Sequence, residues 1–201
     1  MKIPTAAAAA LLLAGTVALA GCSAAAPSDH SSMPGMDHGS SSSTASDAPA
    51  SGPNDADAMF AAMMIVHHQQ AVEMSDLVLG KEGIDPRVVD LAERIKAAQA
   101  PEIEKMQDWL DDWGVDAPSG GMGHGDGMMT EDDMAALEAA SGAEASKLFL
   151  EQMIVHHEGA MAMAETQIAD GENPDAVALA ESIASSQGDE IAEMKDILGS
   201  L

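Results

Sequence analysis

Phe60–Met74 reads FAAMMIVHHQQAVEM, and Phe149–Met163 reads FLEQMIVHHEGAMAM. The two stretches align residue for residue at an offset of 89. Further along, Gly83–Leu110 (GIDPRVVDLAERIKAAQAPEIEKMQDWL) aligns with Gly171–Leu198 (GENPDAVALAESIASSQGDEIAEMKDIL) at an offset of 88, so the second copy lacks one loop residue. Apolar residues in all four segments recur at helical spacing. The chain is therefore read as an internal duplication in which each unit is helix, short turn, helix.

The boundaries have local causes. Asp85-Pro86 and Asn173-Pro174 each put an N-cap acceptor before a proline at the first helical position, and Gly83 and Gly171 suit the turns before them. Four amphipathic helices of about 25 residues bury a single core most simply as a four-helix bundle. The expected fold is all-α: a bundle over residues 54–199, with repeat one at 54–113 and repeat two at 130–199. Between them, residues 114–129 hold Gly120-Gly-Met122-Gly-His124-Gly-Asp126-Gly-Met128-Met129, too glycine-rich for regular structure. Thr130-Glu-Asp-Asp133 reads as a capping box that starts a short helix to about Ala140.

On a helical wheel centred on His67, Phe60, Met63, Ala71, Met74 and Val78 fall within about 40°, and Met64 at about 60°. His67 points into the apolar stripe. His68 lies about 100° away, at its edge, with Met64 and Asp57 near it in angle. Met153, His156, His157 and Met163 repeat the pattern, with Ser146 in place of Asp57. The partner stripes run Val88, Leu91, Ile95, Gln99, Glu102, Met106, Trp109 and Ala176, Leu179, Ile183, Gln187, Glu190, Met194, Ile197. Packing alone needs no Gln and no Glu in such a stripe, where charge is costly unless paired or on a metal. Both copies keep both.

Those residues point to a soft metal. A thioether has no proton to lose and suits Cu(I), while imidazole serves Cu(I) and Cu(II). Outside the cytosol, Met is the sulfur ligand that survives where Cys would oxidise. Zinc fits the His and Glu but leaves the Met unexplained. Copper, with Cu(I) favoured, is the expected ligand of Met64, His67, His68, Met74, Met153, His156, His157, Met163, Glu102 and Glu190. In an alternative arrangement Glu102 and Glu190 accept the second imidazole N–H and orient the ring. Weaker candidates are Asp57, Met106, Met194, the linker residues Met122, His124, Met128 and Met129, and Met33, Met36 and His38 near the N-terminus. The bland reading is that the His are hydrogen-bonded core residues and the Met are adaptable filling.

Composition narrows the function. The chain of 201 residues carries 34 acidic and 8 basic side chains, a formal charge of −26, which excludes a basic nucleic-acid or lipid-binding surface. Its 16 Met and 7 His stand beside a single Cys, too few for disulfides or a thiolate zinc module. That Cys closes Leu19-Ala20-Gly21-Cys22 after the apolar run 6–20, which resembles a bacterial lipobox. The expectation is a signal peptide at 1–21, a lipid on Cys22, and attachment at the outer face of the cell membrane. Residues 22–53, poor in large apolar side chains, read as a disordered tether.

The repeated Met-Ile-x-His-His-x-x-Ala-x-x-Met (Met64–Met74 and Met153–Met163), with Leu137-Glu-Ala-Ala-Ser-Gly142 before Phe149-Leu150, resembles domain of unknown function 305 across residues 54–199. The resemblance implies an exported, ferritin-like helical bundle in a family with copper-binding and copper-resistance members. The acid that family pattern places three residues before the Phe is present as Asp57 and absent at Ser146. The expected role is metal sequestration, transfer or resistance, with a copper-acceptor protein as a candidate partner. Two other classes compete. A ferritin-like di-metal oxidase wants Glu-x-x-His pairs, and no His here has Glu three residues before it. A non-metal helical interaction module would use His and Met only for packing. No serine or cysteine nucleophile arrangement is visible, and enzyme activity is not expected.

Overall fold

The computed structural model describes residues 52–116 and 127–201. The expected signal peptide, Cys22, Met33, Met36, His38, Met122 and His124 lie outside them. The described residues form α1 (Asp55–Leu79), α2 (Pro86–Trp113), α3 (Glu131–Ala139), α4 (Gly142–Asp170) and α5 (Pro174–Leu198), with no strand among them. Long helices α1, α2, α4 and α5 make the bundle, and α3 is the short helix before α4. Among the described residues, no helix is long and apolar enough to cross a membrane.

The helix starts are fixed by side chains. Asn54 and Asp57 form a capping box on α1, and Thr130 and Asp133 form another on α3. Asp85 accepts from the Arg87 N–H, and Asn173 from the N–H groups of Asp175 and Ala176, each before its N1 proline. Helix α2 ends at Gly114, whose φ of 66° is the left-handed C-terminal turn that glycine takes without a Cβ penalty. It also runs through Pro101, which gives up one intrahelical hydrogen bond inside the element.

α1 packs on α2, α4 packs on α5, and the hairpins join through α1 against α4. These last two run antiparallel. Asp57 at the start of α1 meets Gln167 at the end of α4, while Gly83 after α1 approaches Gly142 at the start of α4. The buried apolar residues divide into two clusters. One gathers Met74, Leu91, Ile95, Phe149, Met153, Ile191 and Met194. The other gathers Phe60, Met64, Met106, Ala160, Ala164, Leu179 and Ile183. Trp109 and Trp113 pack against the second cluster and stack on each other with ring centroids 5.7 Å apart, Lys105 lying over Trp109.

Several inward assignments shift. His68 is fully buried, not at an edge, and Met64 is buried while Met63 is only partly so. The cause is that α1 is covered by α2 on one side and α4 on another, so its buried arc is wider than a single-partner stripe. Glu102 and Glu190, expected near the stripe centre, keep 22% and 15% of their side chains exposed. Trp109 is partly exposed as well.

Candidate metal centre

Between the two apolar clusters lies a polar layer. On α2, Ile95 belongs to one cluster and Met106 to the other, with Gln99 and Glu102 between. On α5, Ile183 and Met194 bracket Gln187 and Glu190 in the same way. α1 contributes His67 and His68 to this level, and α4 contributes His156 and His157. All four His are at most 1% exposed. Met64, one turn before the α1 pair, and Met153, one turn before the α4 pair, are both fully buried on opposite sides of the layer.

The histidines divide into two kinds. His67 and His156 meet across the α1–α4 contact with ring centroids 3.7 Å apart and a 39° tilt. His68 and His157 turn toward the partner helix of their own hairpin. His68 Nε2 is 2.8 Å from Glu102 Oε2, and His157 Nε2 is 2.7 Å from Glu190 Oε2. A carboxylate can only accept, so each Nε2 carries the hydrogen and donates it. In the neutral ring this tautomer leaves Nδ1 of His68 and His157 as the lone-pair nitrogen. Both are buried and have no hydrogen-bond partner among the described residues.

Other acceptors in the layer share that condition: Oε1 of Gln99 and of Gln187 is buried with no hydrogen-bond partner among the described residues. Each such group costs about 1–3 kcal/mol if nothing meets it. Burial pushes the His156 pKa well below its ordinary value, with further lowering from His67, His157 and His68. A contact with the His67 backbone opposes this. His156 is thus held neutral, the form that ligates metal.

The donor set fits a soft cation: imidazole nitrogens at the level of buried thioethers. Among the described residues, no three His, Cys, Asp or Glu side chains are already gathered around one point at metal-binding range.

The remaining candidates fall elsewhere. Met74 is buried in the apolar cluster with Leu91 and Ile95, while its counterpart Met163 is partly buried and lines a surface groove. Met106 and Met194 are buried at the two borders of the layer. Met128 is partly exposed; Met129 is buried, its N–H and carbonyl both bonded to the Gln70 amide. Gly127 just before them lies so close to α4 that a Cβ there would come 2.5 Å from the Val155 carbonyl. The linker's last residues thus seat beside the histidine level of α1 and α4.

Asp57 stands eleven residues before His68, about 16 Å along the helix. Its carboxylate is engaged at the end of the bundle. It accepts from the N–H groups of Asn54, Glu172 and Asn173 and from the Gln167 amide. Burial raises its pKa, and these four bonds outweigh burial and hold it below the ordinary carboxylate value. Ser146 does related work at the other end, its Oγ accepting from the Asp85 N–H. The two interactions follow the repeat: Asn173 and Asp85 are matched loop positions, and so are residues 57 and 146.

The family model described as domain of unknown function (DUF305) matches residues 57–198. No curated protein matches the chain. Among solved structures, a DUF305 fragment from Deinococcus radiodurans is 28% identical with a TM-score of 0.70, over 75% of this chain and all of that one. A DUF305 protein of Streptomyces coelicolor, provisionally described as secreted, is 36% identical with a TM-score of 0.67, over 72% of this chain and 91% of that one. CopM in its Cu(I)-bound form is 31% identical with a TM-score of 0.61, over 72% of this chain and 96% of its own. CopM has also been solved with Cu(II) and with silver.

Proposed function

The chain belongs to the DUF305 family, and from that premise we propose that it is an exported, lipid-anchored copper-binding protein that holds Cu(I) in the polar layer of its bundle. The observation that carries the reading is the pair of carboxylate-oriented imidazoles. Glu102 and Glu190 take the Nε2 hydrogens of His68 and His157, which leaves two Nδ1 lone pairs in a buried layer. A carboxylate in that position fixes the tautomer and raises the basicity of the ligating nitrogen. The glutamates orient ligands and do not bind the ion themselves.

The contact between His67 and His156 supports one shared centre more than one per hairpin, since these rings belong to different hairpins and touch. Met64 and Met153 supply thioethers from opposite sides. Imidazole with thioether stabilises Cu(I) over harder cations. The Cu(I)-, Cu(II)- and silver-bound forms of CopM show related chains accepting the same class of ion. Sequestration or hand-over outside the cytoplasm is the role this chemistry serves, anchored through a lipid on Cys22.

Titration of the purified chain with Cu(I) against a competing chelator tests the reading. Saturable binding tighter than micromolar is expected, and conversion of His67, His68, His156 and His157 to Ala abolishes the tight equivalent. An undiminished number of tight Cu(I) equivalents after all four substitutions refutes the buried centre.

A further inference from the structure

The face where α1 meets α4 has two matched ends, and α3 covers only one. At the covered end, Gln152 donates its amide to the Asp133 carbonyl and Lys81 donates to the Glu138 carbonyl, so an amide and an ammonium hold α3 in place. Leu77 and Leu148 pack there against the apolar cluster that includes Leu137 of α3. The matched positions at the other end are Met63 for Gln152, Asp170 for Lys81 and Met59 for Leu148. Both donors that grip a helix are gone, replaced by a thioether and a carboxylate.

That end is an open groove of about 420 Å³ lined by Met59, Met63 and Met163 together with Phe60, Thr166 and Asp170. Met59 is 62% exposed, the most of any large apolar side chain among the described residues. Met59 and Met63 are four residues apart on α1, hence on one face about 6 Å apart along the axis, and His67 is the next step of the same ladder. Met163 faces them from α4, seven residues from His156. Three thioethers and one carboxylate border the groove, and Met63 stands about one helical turn before His67.

We propose that this groove is a second metal site, a capture site for a monovalent soft cation, Cu(I) or Ag(I), bound through the sulfurs of Met59, Met63 and Met163. A thioether trio carries no charge and no proton, so it binds a soft monovalent ion without desolvating a carboxylate pair and without selecting for divalent ions. The acidic surface raises the local cation concentration, and Asp170 at the rim adds one charge. The ion held here is one the proposed buried centre would receive. The inference deepens that reading and rests on it for the direction of transfer, but not for the existence of the groove site.

The test is an Ag(I) titration of the purified chain labelled with 13C at the methionine ε-methyl groups, read by NMR. It is paired with equilibrium stoichiometry of the Met59→Leu/Met63→Leu/Met163→Leu variant. Leucine preserves volume at partly exposed positions, and circular dichroism verifies the fold. The expected result is that the three methyl signals shift together in the wild type, and that the variant binds one equivalent fewer while keeping the histidine-dependent one. Signals of Met59, Met63 and Met163 that stay fixed to saturation, or a variant with undiminished stoichiometry, overturn the groove site. A variant with His67, His68, His156 and His157 all converted to Ala separates the two ideas. If it still shows the three methyl shifts, the groove stands whatever becomes of the buried centre. If it binds as much as wild type while the methionine variant does not, the buried centre alone fails.

Discussion

At the scale of single residues, the informative atoms are ring nitrogens. Two carboxylates at 2.8 and 2.7 Å decide which nitrogen of His68 and His157 bears hydrogen, and therefore which one can ligate. Replacing Glu102 and Glu190 by Ala is expected to weaken Cu(I) binding by about 10–100-fold. Gln, which still offers an oxygen to Nε2–H, restores it to within a few-fold. Equilibrium competition for Cu(I) measures both, and a Gln variant as weak as the Ala variant would instead make the carboxylates direct ligands. The sequence made the His-Glu association legible, because both copies keep a charge on an apolar face. It left ligand and orienting partner as alternatives, since wheel angles locate a side chain on a helix but say nothing of which atom it turns toward a neighbour. The same limit misplaced His68 and Met63: an angle from one helix cannot show how many helices cover it.

Among elements, loops tie the hairpins together. Asp57 belongs to α1, yet it accepts from the loop between α4 and α5 and from Gln167 of α4. Asp57→Ala therefore leaves several donors at a bundle end without an acceptor and is expected to cost about 2–3 kcal/mol in unfolding free energy. The pH dependence has a definite sign. Folding lowers the Asp57 pKa, so its contribution is fully present above the unfolded carboxylate pKa and is lost as pH falls through the lower folded value. Denaturant melts of wild type and variant should differ by a constant amount from pH 7 down to about 5, and converge in strong acid. A gap that persists undiminished at pH 2 would mean the bonds do not depend on ionisation. Helix starts at Asp85-Pro86, Thr130 and Asn173-Pro174 were readable because capping is local. The loop-binding role of Asp57 was not, since its partners lie more than a hundred residues away.

For the molecule as a whole, the polar layer sets a trade between stability and function. Buried acceptors without partners among the described residues make the bundle less stable than a fully apolar one, and a ligand that meets them returns that free energy on binding. Cu(I) at a hundredfold excess over its Kd should stabilise the native state by about 2.7 kcal/mol, a rise of about 5–10 °C in Tm for a chain of this size. Anaerobic calorimetry checks it, and a Tm indifferent to copper would favour the packing-only account of the histidines. Both indoles of the chain ride on the last turns of α2, stacked together beside the cluster that holds Met64 and Met106. Intrinsic fluorescence is therefore a one-ended witness, sensitive to that end and nearly blind to the one holding Met153 and Met194. A melt followed by emission and again by helical dichroism becomes a clock for the two ends: coincident curves mean they come apart as one body, and a lag between them dates which loosens first.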